Sequence, residues 1–456
     1  MSNNDFELAT VHTTANPEPP SNPTTPIESK VDAKVSSDEN KSSTPVEIPE
    51  ESDGTLTANE LAINLMKCIA GTGALAIPYG IWSVGIILGV ISFFVVAVLY
   101  ILSAYQLIVC YNHTKSYKTT VKTNNDYARL CFITLKNPGY VIFNIANVVT
   151  LYGMAMGTMI VMTDFLDSLP IPASNHTLKR ALLQSLITII GLIFCLLKDP
   201  SLLVAISSFG LAALIISLVI LFFYGVVHFG FKFDSSFWFP RPKSILNNLG
   251  VFLNALAFSL MCLSQAKHVK KAYQKRITKT ISVSVVIMAI IYIIIGLVFL
   301  SLYKTDNGVP GNILAALPSS SIWNTIISVL MVITCMGSFP LYLGPVHELF
   351  DGRCGKVKTN RFFITNPQYA SYRVVEVCGL SVLAFIFNDF KAVLNFIGSS
   401  TAVLVNCILP ALIHFYLLKK KLSFTWKCVD WIVIVLTSIL MVICTIVSFK
   451  ELVHSI

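Results

Sequence analysis

Apolar stretches of about twenty residues, the length of helix that crosses a bilayer core, recur from Leu61 almost to the end of the chain. So many cannot be hidden inside one water-facing globule, which makes lipid the solvent for much of the surface. Composition agrees: of 456 residues, 54% are hydrophobic and 12% charged, about half the charge of an ordinary soluble domain. The runs predict an all-α integral membrane protein with about eleven transmembrane helices, numbered here 1 to 11, at 59–81, 84–110, 139–164, 180–197, 201–229, 245–266, 280–303, 321–344, 371–388, 391–418 and 428–449. No basic n-region with an early apolar run precedes them. Helix 1 is therefore expected to act as its own insertion signal, without a cleaved leader.

The net charge of +9 joins two opposed parts. Residues 1–55 carry eleven acidic residues against Lys30, Lys34 and Lys41, a net −8 that leaves about +17 for the rest. Rich in Ser, Thr, Pro and Glu, this segment is expected to be a disordered acidic cytoplasmic tail, and residues 56–456 the membrane domain. Alternate connections hold 21 Lys and Arg residues against eight in the others. That bias places the N-terminus in the cytoplasm and, with an odd number of crossings, the short C-terminus on the exofacial or lumenal side. All eleven cysteines fall in predicted helices, at their ends or on the cytoplasmic side, so no exofacial disulfide framework is expected. Asn175-His176-Thr177 lies in an exofacial connection, making Asn175 a candidate glycosylation site.

The most informative segment runs Asn64-Leu65-Met66-Lys67-Cys68-Ile69-Ala70-Gly71-Thr72-Gly73-Ala74-Leu75-Ala76-Ile77-Pro78. A helix that must satisfy its own backbone in lipid should avoid Gly-Thr-Gly followed by Pro, unless the break lines a cavity. Freed amides near Thr72 to Ala74 would then hold a carboxylate, and freed carbonyls an ammonium or a cation. The competing reading is a kinked but packed helix that uses small residues for close contact.

Asn-Leu-x-Lys-x-x-x-Gly-Thr-Gly-x-Leu-x-x-Pro at helix 1 resembles the amino acid/auxin permease superfamily, in particular its proton-coupled and vacuolar branches. The order of later segments extends the resemblance over roughly residues 56–449: Phe339-Pro340-Leu341 with Pro345 and Glu348, then Arg373, Asn395-Phe396-Ile397-Gly398-Ser399 and Ile408-Leu409-Pro410-Ala411-Leu412. The resemblance implies a five-helix inverted repeat (about 59–229 and 245–418) of the APC/LeuT-like kind, with helices 1 and 6 broken at a central site and helix 11 (about 428–449) added. It implies substrate contacts at Ala70, Gly71, Thr72, Gly73 and Ala74, faced by Phe258 and Ser259 of helix 6. Two positions depart from the pattern. Asn64 stands where the proton-coupled branch commonly has His, and cannot titrate. Ala257-Phe258-Ser259-Leu260 stands where an acidic residue and a Gly are usual, with Gly250 the nearest preceding glycine.

Lys67 is the one basic residue firmly inside a predicted span, where charge costs about 3 kcal/mol on insertion scales. With Asn64 it is a candidate for ion coupling or gating, the alternatives being a structural ion pair with Glu348 or Glu376, or snorkelling to the cytosol. Thr334 and Ser338 share one face of helix 8 and are candidates to join helix-1 carbonyls around sodium, against the commoner bonding of such hydroxyls to their own helix. Asp164, His228, Asp389 and His414 sit near helix ends and read as solvated or interfacial. The run Lys267-His268-Val269-Lys270-Lys271 reads as a topological anchor near anionic lipid, with no nucleic-acid role.

These features predict a secondary active transporter of small, neutral amino acids, coupled to protons more readily than to sodium, with alternating access around an unwound helix 1. Its partners would be the amino acid, the coupling ion (H+ or Na+) and membrane lipid, with no other cofactor and no metal centre. A nutrient sensor that binds amino acids with little flux and signals through the acidic tail is the alternative. No His-Glu-x-x-His, Gly-x-Ser-x-Gly or phosphate-loop pattern argues for an enzyme. Either the plasma membrane or a vacuolar or lysosomal membrane would suit such a chain.

Overall fold

The computed structural model describes residues 54–454 apart from 118, 122, 124, 171–174, 198–199, 240, 306–307 and 351–365. The acidic tail up to residue 53 therefore lies outside the described residues, as do the side chains of Thr72 and Glu348. Within them the chain is nearly all helical, without strands. Ten helices are long and apolar enough to cross a bilayer, and a bent pair supplies an eleventh crossing. The crossings follow the apolar runs: helix 2 is Ile86–Thr114, helix 4 His176–Leu196, helix 5 Pro200–His228, helix 7 Ile277–Tyr303, helix 8 Ile322–Phe350, helix 9 Pro367–Ile386, helix 10 Phe390–Leu418 and helix 11 Phe424–His454. Large apolar side chains point outward along them; Val375 is 72% and Ile432 63% exposed, as suits a lipid-facing surface.

Side-chain caps mark several starts, because the first amides of a helix have no partner within it. Thr57 and Glu60 cap each other's backbone ahead of helix 1, and Asn125, Asn175, Asn366 and Asp389 accept from the first turns of helices 3, 4, 9 and 10. Helix 3 differs most from expectation. It spans Asp126–Asp167 and turns at Lys136 (φ 60°, ψ −151°), two residues before Pro138. The segment ahead of the turn, from Asp126, reads as a basic connection in the sequence but is itself helical.

Packing sorts the helices into two groups. Helix 1 packs on helices 6 and 7, and helix 7 on helix 2; helix 8 packs on helices 5, 3 and 4, and helix 9 on helices 4 and 3. Helix 10 touches both groups, through helices 2 and 6 on one side and helix 3 on the other, and helix 11 lies along helices 10 and 6.

Candidate functional site

Helix 1 breaks where its sequence predicts. The first half, 1a (Ala58–Ile69), ends at Ala70 (φ −69°, ψ 93°). Gly71 is extended, Thr72–Ala76 forms a 3-10 turn, and the second half, 1b (Ile77–Val84), carries Pro78 in its first turn. The two halves meet at 55°. Helix 6 breaks as well, between 6a (Pro242–Ala255) and 6b (Ser259–Lys267). Leu256 (φ −101°) and Phe258 (φ −147°) carry that break in conformations open to any residue, so it needs no glycine.

The freed carbonyls at the ends of 1a and 6a each find a tyrosine from the opposite repeat. Tyr292 of helix 7 donates to Ile69 O at 2.7 Å, and Tyr100 of helix 2 donates to Leu253 O at 2.6 Å. At the start of 6b, Asn406 Oδ1 accepts from Ser259 N at 2.9 Å while its amide donates to Ala402 O at 2.8 Å. Ala74 N closes the first 3-10 turn on Gly71 O at 3.2 Å, which leaves the amides before it outside the helical bonding pattern.

A cavity of about 630 Å³ runs from these breaks to the protein surface. Its inner end is bounded by Ala70, Thr150, Ala257, Phe258, Ser259 and Asn406; Leu151, Met154 and Leu211 supply apolar wall; Asn125, Asp126, Lys267 and His268 lie at its mouth. The mouth is on the face that carries the basic connections. There Lys267, half-exposed, pairs with Asp126 at 3.7 Å. On the opposite face Lys391 Nζ lies 2.5 Å from Glu451, 3.2 Å from Tyr79 Oη and 4.4 Å from the Tyr79 ring centre, joining helices 10, 11 and 1b.

The structure brings most of the sequence-derived candidates to this cavity. Ala70 and Phe258 line it, as does Ser259, whose side chain is fully buried and whose Oγ has no partner among the described residues. Gly73 lies against the backbone of Ala255 in 6a and Gly71 beside the Tyr342 hydroxyl. The backbone of Thr72 starts the 3-10 turn, and Ala74 is buried behind the break. Lys67 lines the cavity and donates to Ser208 Oγ of helix 5 at 3.0 Å. Its suggested partner Glu376 is engaged elsewhere, with His347 (2.6 Å) and Tyr372 (3.2 Å). Asn64 faces Gln265 of 6b at 3.5 Å. Thr334 and Ser338 line the cavity, but both donate to their own helix, and Thr334 also to Gly210 O of helix 5. Asn175 is exposed, its carbonyl oxygen capping helix 4.

Of the residues read as interfacial, Asp164 pairs with Arg180 at 2.7 Å, His228 stacks on Tyr224, and Asp389 caps helix 10. His414 corrects its reading: it is 2% exposed and its Nδ1 lies 2.8 Å from Asp430 of helix 11. The tyrosine caps, Asn406 and the two buried His–carboxylate pairs escape a reading of the sequence. Each joins residues on different helices, and no local spacing announces them.

A model of the family described as transmembrane amino acid transporter protein matches residues 54–450. Vacuolar amino acid transporter 7 of Saccharomyces cerevisiae is 27% identical over 304 residues, which covers 64% of this chain and 59% of that protein. Amino acid transporter AVT3C of Arabidopsis thaliana is 21% identical over 411 residues, covering 85% and 89%. Lysine histidine transporter-like 3, also of Arabidopsis thaliana, is 26% identical over 174 residues, covering 38% of each.

Proposed function

This chain belongs to the transmembrane amino acid transporter family, a family of transporters and not of enzymes, and from that premise we propose that it is a secondary active carrier of small neutral amino acids coupled to protons. One observation carries the reading: two broken helices meet at the inner end of a cavity whose mouth is lined by Asn125, Asp126, Lys267 and His268 on the basic face, which is an arrangement suited to alternating access.

The chemistry of the cavity supports the substrate class. Amides at the start of 1b suit a carboxylate, and carbonyls at the end of 1a suit an ammonium, since helix termini carry those partial charges. The Ser259 hydroxyl and the Asn406 side chain line the same cavity as Ala70 at the end of 1a. Among the described residues no acidic side chain lines the inner end to hold a basic one, and Leu151, Met154, Leu211 and Phe258 offer apolar wall. A short neutral side chain fits that lining. The resemblance of the helix-1 segment to the proton-coupled and vacuolar branches favours protons over sodium. Relatives named for the vacuole favour an acidic-organelle membrane. With the basic connections in the cytosol, the N-terminus is cytosolic and the cavity opens to the cytosol.

Uptake of labelled amino acids into proteoliposomes, with proton and sodium gradients imposed separately, tests the reading. Saturable accumulation under the proton gradient, abolished by Gly73→Trp in a folded protein, is the expected result. Binding without flux under either gradient would overturn it and favour a sensor.

A further inference from the structure

A carrier coupled to protons needs a group whose proton occupancy changes the energy of one conformation relative to the other. Asn64, at the position where helix 1 would offer such a group, cannot supply one. The structure contains two buried His–carboxylate pairs away from the cavity. His347 and Glu376 join helices 8 and 9, which stay within one packing group, so that pair holds helices already held together. The other pair joins helix 10, which touches both groups, to helix 11, and through Gln106 to helix 2.

Asp430 of helix 11 is completely buried. One carboxylate oxygen lies 2.8 Å from His414 Nδ1 on helix 10, and the other accepts from Gln106 Nε2 on helix 2 at 2.9 Å. Gln106 is itself fully buried, and its Oε1 has no partner among the described residues. The Trp426 ring stands 5.7 Å edge-on from the imidazole and stacks on Tyr105 of helix 2. The other titratable groups facing the pair are few. Helix 2 presents the Tyr105 phenol and the Cys110 thiol, the latter within electrostatic reach of Asp430. Beyond Cys110, Tyr127 of helix 3 has its hydroxyl committed to Val405 O and lies within electrostatic reach of Cys110, Cys131 and Cys407. Lys419, Lys420, Lys421 and Lys427 lie in and beside the turn joining helices 10 and 11.

We propose that the His414–Asp430–Gln106 triad is the binding site of the coupling proton; this rests on the carrier reading above. With the proton on His414, imidazolium and carboxylate neutralise each other and Gln106 satisfies the second oxygen. When the proton leaves, an uncompensated carboxylate remains in a site without water, which strongly favours opening of the joint. The joint ties helix 2, which packs with helix 7 in the group that holds the broken helices 1 and 6, to helices 10 and 11. It is closed in the conformation whose cavity opens on the basic face. Protonation therefore stabilises that conformation, and proton release returns the bundle to the other one.

The test is transport by the full-length protein in proteoliposomes, comparing accumulation under a pH gradient with exchange of labelled for unlabelled substrate at equal pH on both sides. Asp430→Asn and His414→Gln are each expected to lower gradient-driven accumulation about tenfold or more while exchange continues near the wild-type rate; Asp430→Glu should restore part of the accumulation. Variants that still accumulate under the pH gradient, or that lose exchange and accumulation together, would overturn the assignment. So would failure of both variants to fold, which would mark the triad as structural. If only one misfolds, the other carries the same expectation. Wild-type accumulation driven by sodium alone would remove the proton site and leave the carrier standing. A wild-type protein without any exchange would sink the carrier reading itself.

Discussion

Two tyrosines hold the backbone of the breaks open. Tyr100 and Tyr292 occupy matching places on helices 2 and 7, near the middle of each, and each donates to a carbonyl at the end of the other repeat's first half-helix. Both are fully buried or nearly so, so phenylalanine in either place strands a carbonyl without water. Tyr100→Phe and Tyr292→Phe should each cost about 1–3 kcal/mol, read as lowered thermal stability in detergent. Equal stability of either variant would show that its hydroxyl is not what satisfies the carbonyl. Asn406→Ala should cost about 1 kcal/mol as a lost cap and weaken substrate affinity, because the start of 6b then loses its partner at the cavity wall; unchanged affinity in an uptake assay would argue against its placement there. The glycines of helix 1 were legible because their smallness is a local property, whereas these caps span 153 and 223 residues of sequence. His414 misled for the same reason. Its position near a helix end is visible in the sequence, but its burial depends on Asp430, across the turn to helix 11.

At the scale of the helix, apolar length makes the crossings legible to within a few residues, except at the start of helix 3, which begins at Asp126 and not near 139. What it misses is irregularity inside them. Helix 6 breaks without the expected glycine because its backbone angles stay negative, so no residue type marks the place. Helix 10 reads as one apolar run, yet Gly398–Ala402 and Leu404–Ile408 are π-helical, a widened winding that often marks functional sites. The same segment presents Gly398 to the backbone of Gly250 in helix 6a, so closely that a Cβ on either would overlap the other helix. Gly398→Ala should therefore force the helices apart at a cost of about 1–3 kcal/mol and depress uptake, while Gly73→Ala should be tolerated, its added carbon meeting Ala255 at an ordinary 3.6 Å. Thermal stability and uptake of the two variants side by side check the contrast. Equal losses would mean that smallness at helix 1, not closeness between helices 6 and 10, is what the site depends on.

At the scale of the whole molecule, alternating access as proposed has the basic face open and the far face shut, each with its own set of contacts. On the basic face, 1a and 6b are tied to each other by Leu56 bonding the backbone at His268 and Lys270 and by Asn64 facing Gln265, so they swing as a pair. On the far face the closure rests on Lys391, which binds Glu451 of helix 11 while lying over Tyr79 of 1b. The ion pair is partly exposed, worth about 0.2–1 kcal/mol, and the contact with the ring adds about 0.5–1 kcal/mol. Removing the lysine weakens only the conformation in which the far face is shut. Lys391→Ala should therefore lower the ratio of basic-face-open to far-face-open molecules about threefold or more, since about 0.7 to 2 kcal/mol corresponds to a factor of about 3 to 30. Cys68 reports on it: its side chain is exposed and lines the cavity. In vesicles with the basic face outward and at fixed pH, labelling of Cys68 by an impermeant maleimide should slow in Lys391→Ala, with Cys68→Ser as the blank. An unchanged or faster rate would mean that the far face is shut by the packing of Phe252 on Gly80 and of Ile77 and Ile81 on Gly296, and that the lysine merely decorates a closure made by shape.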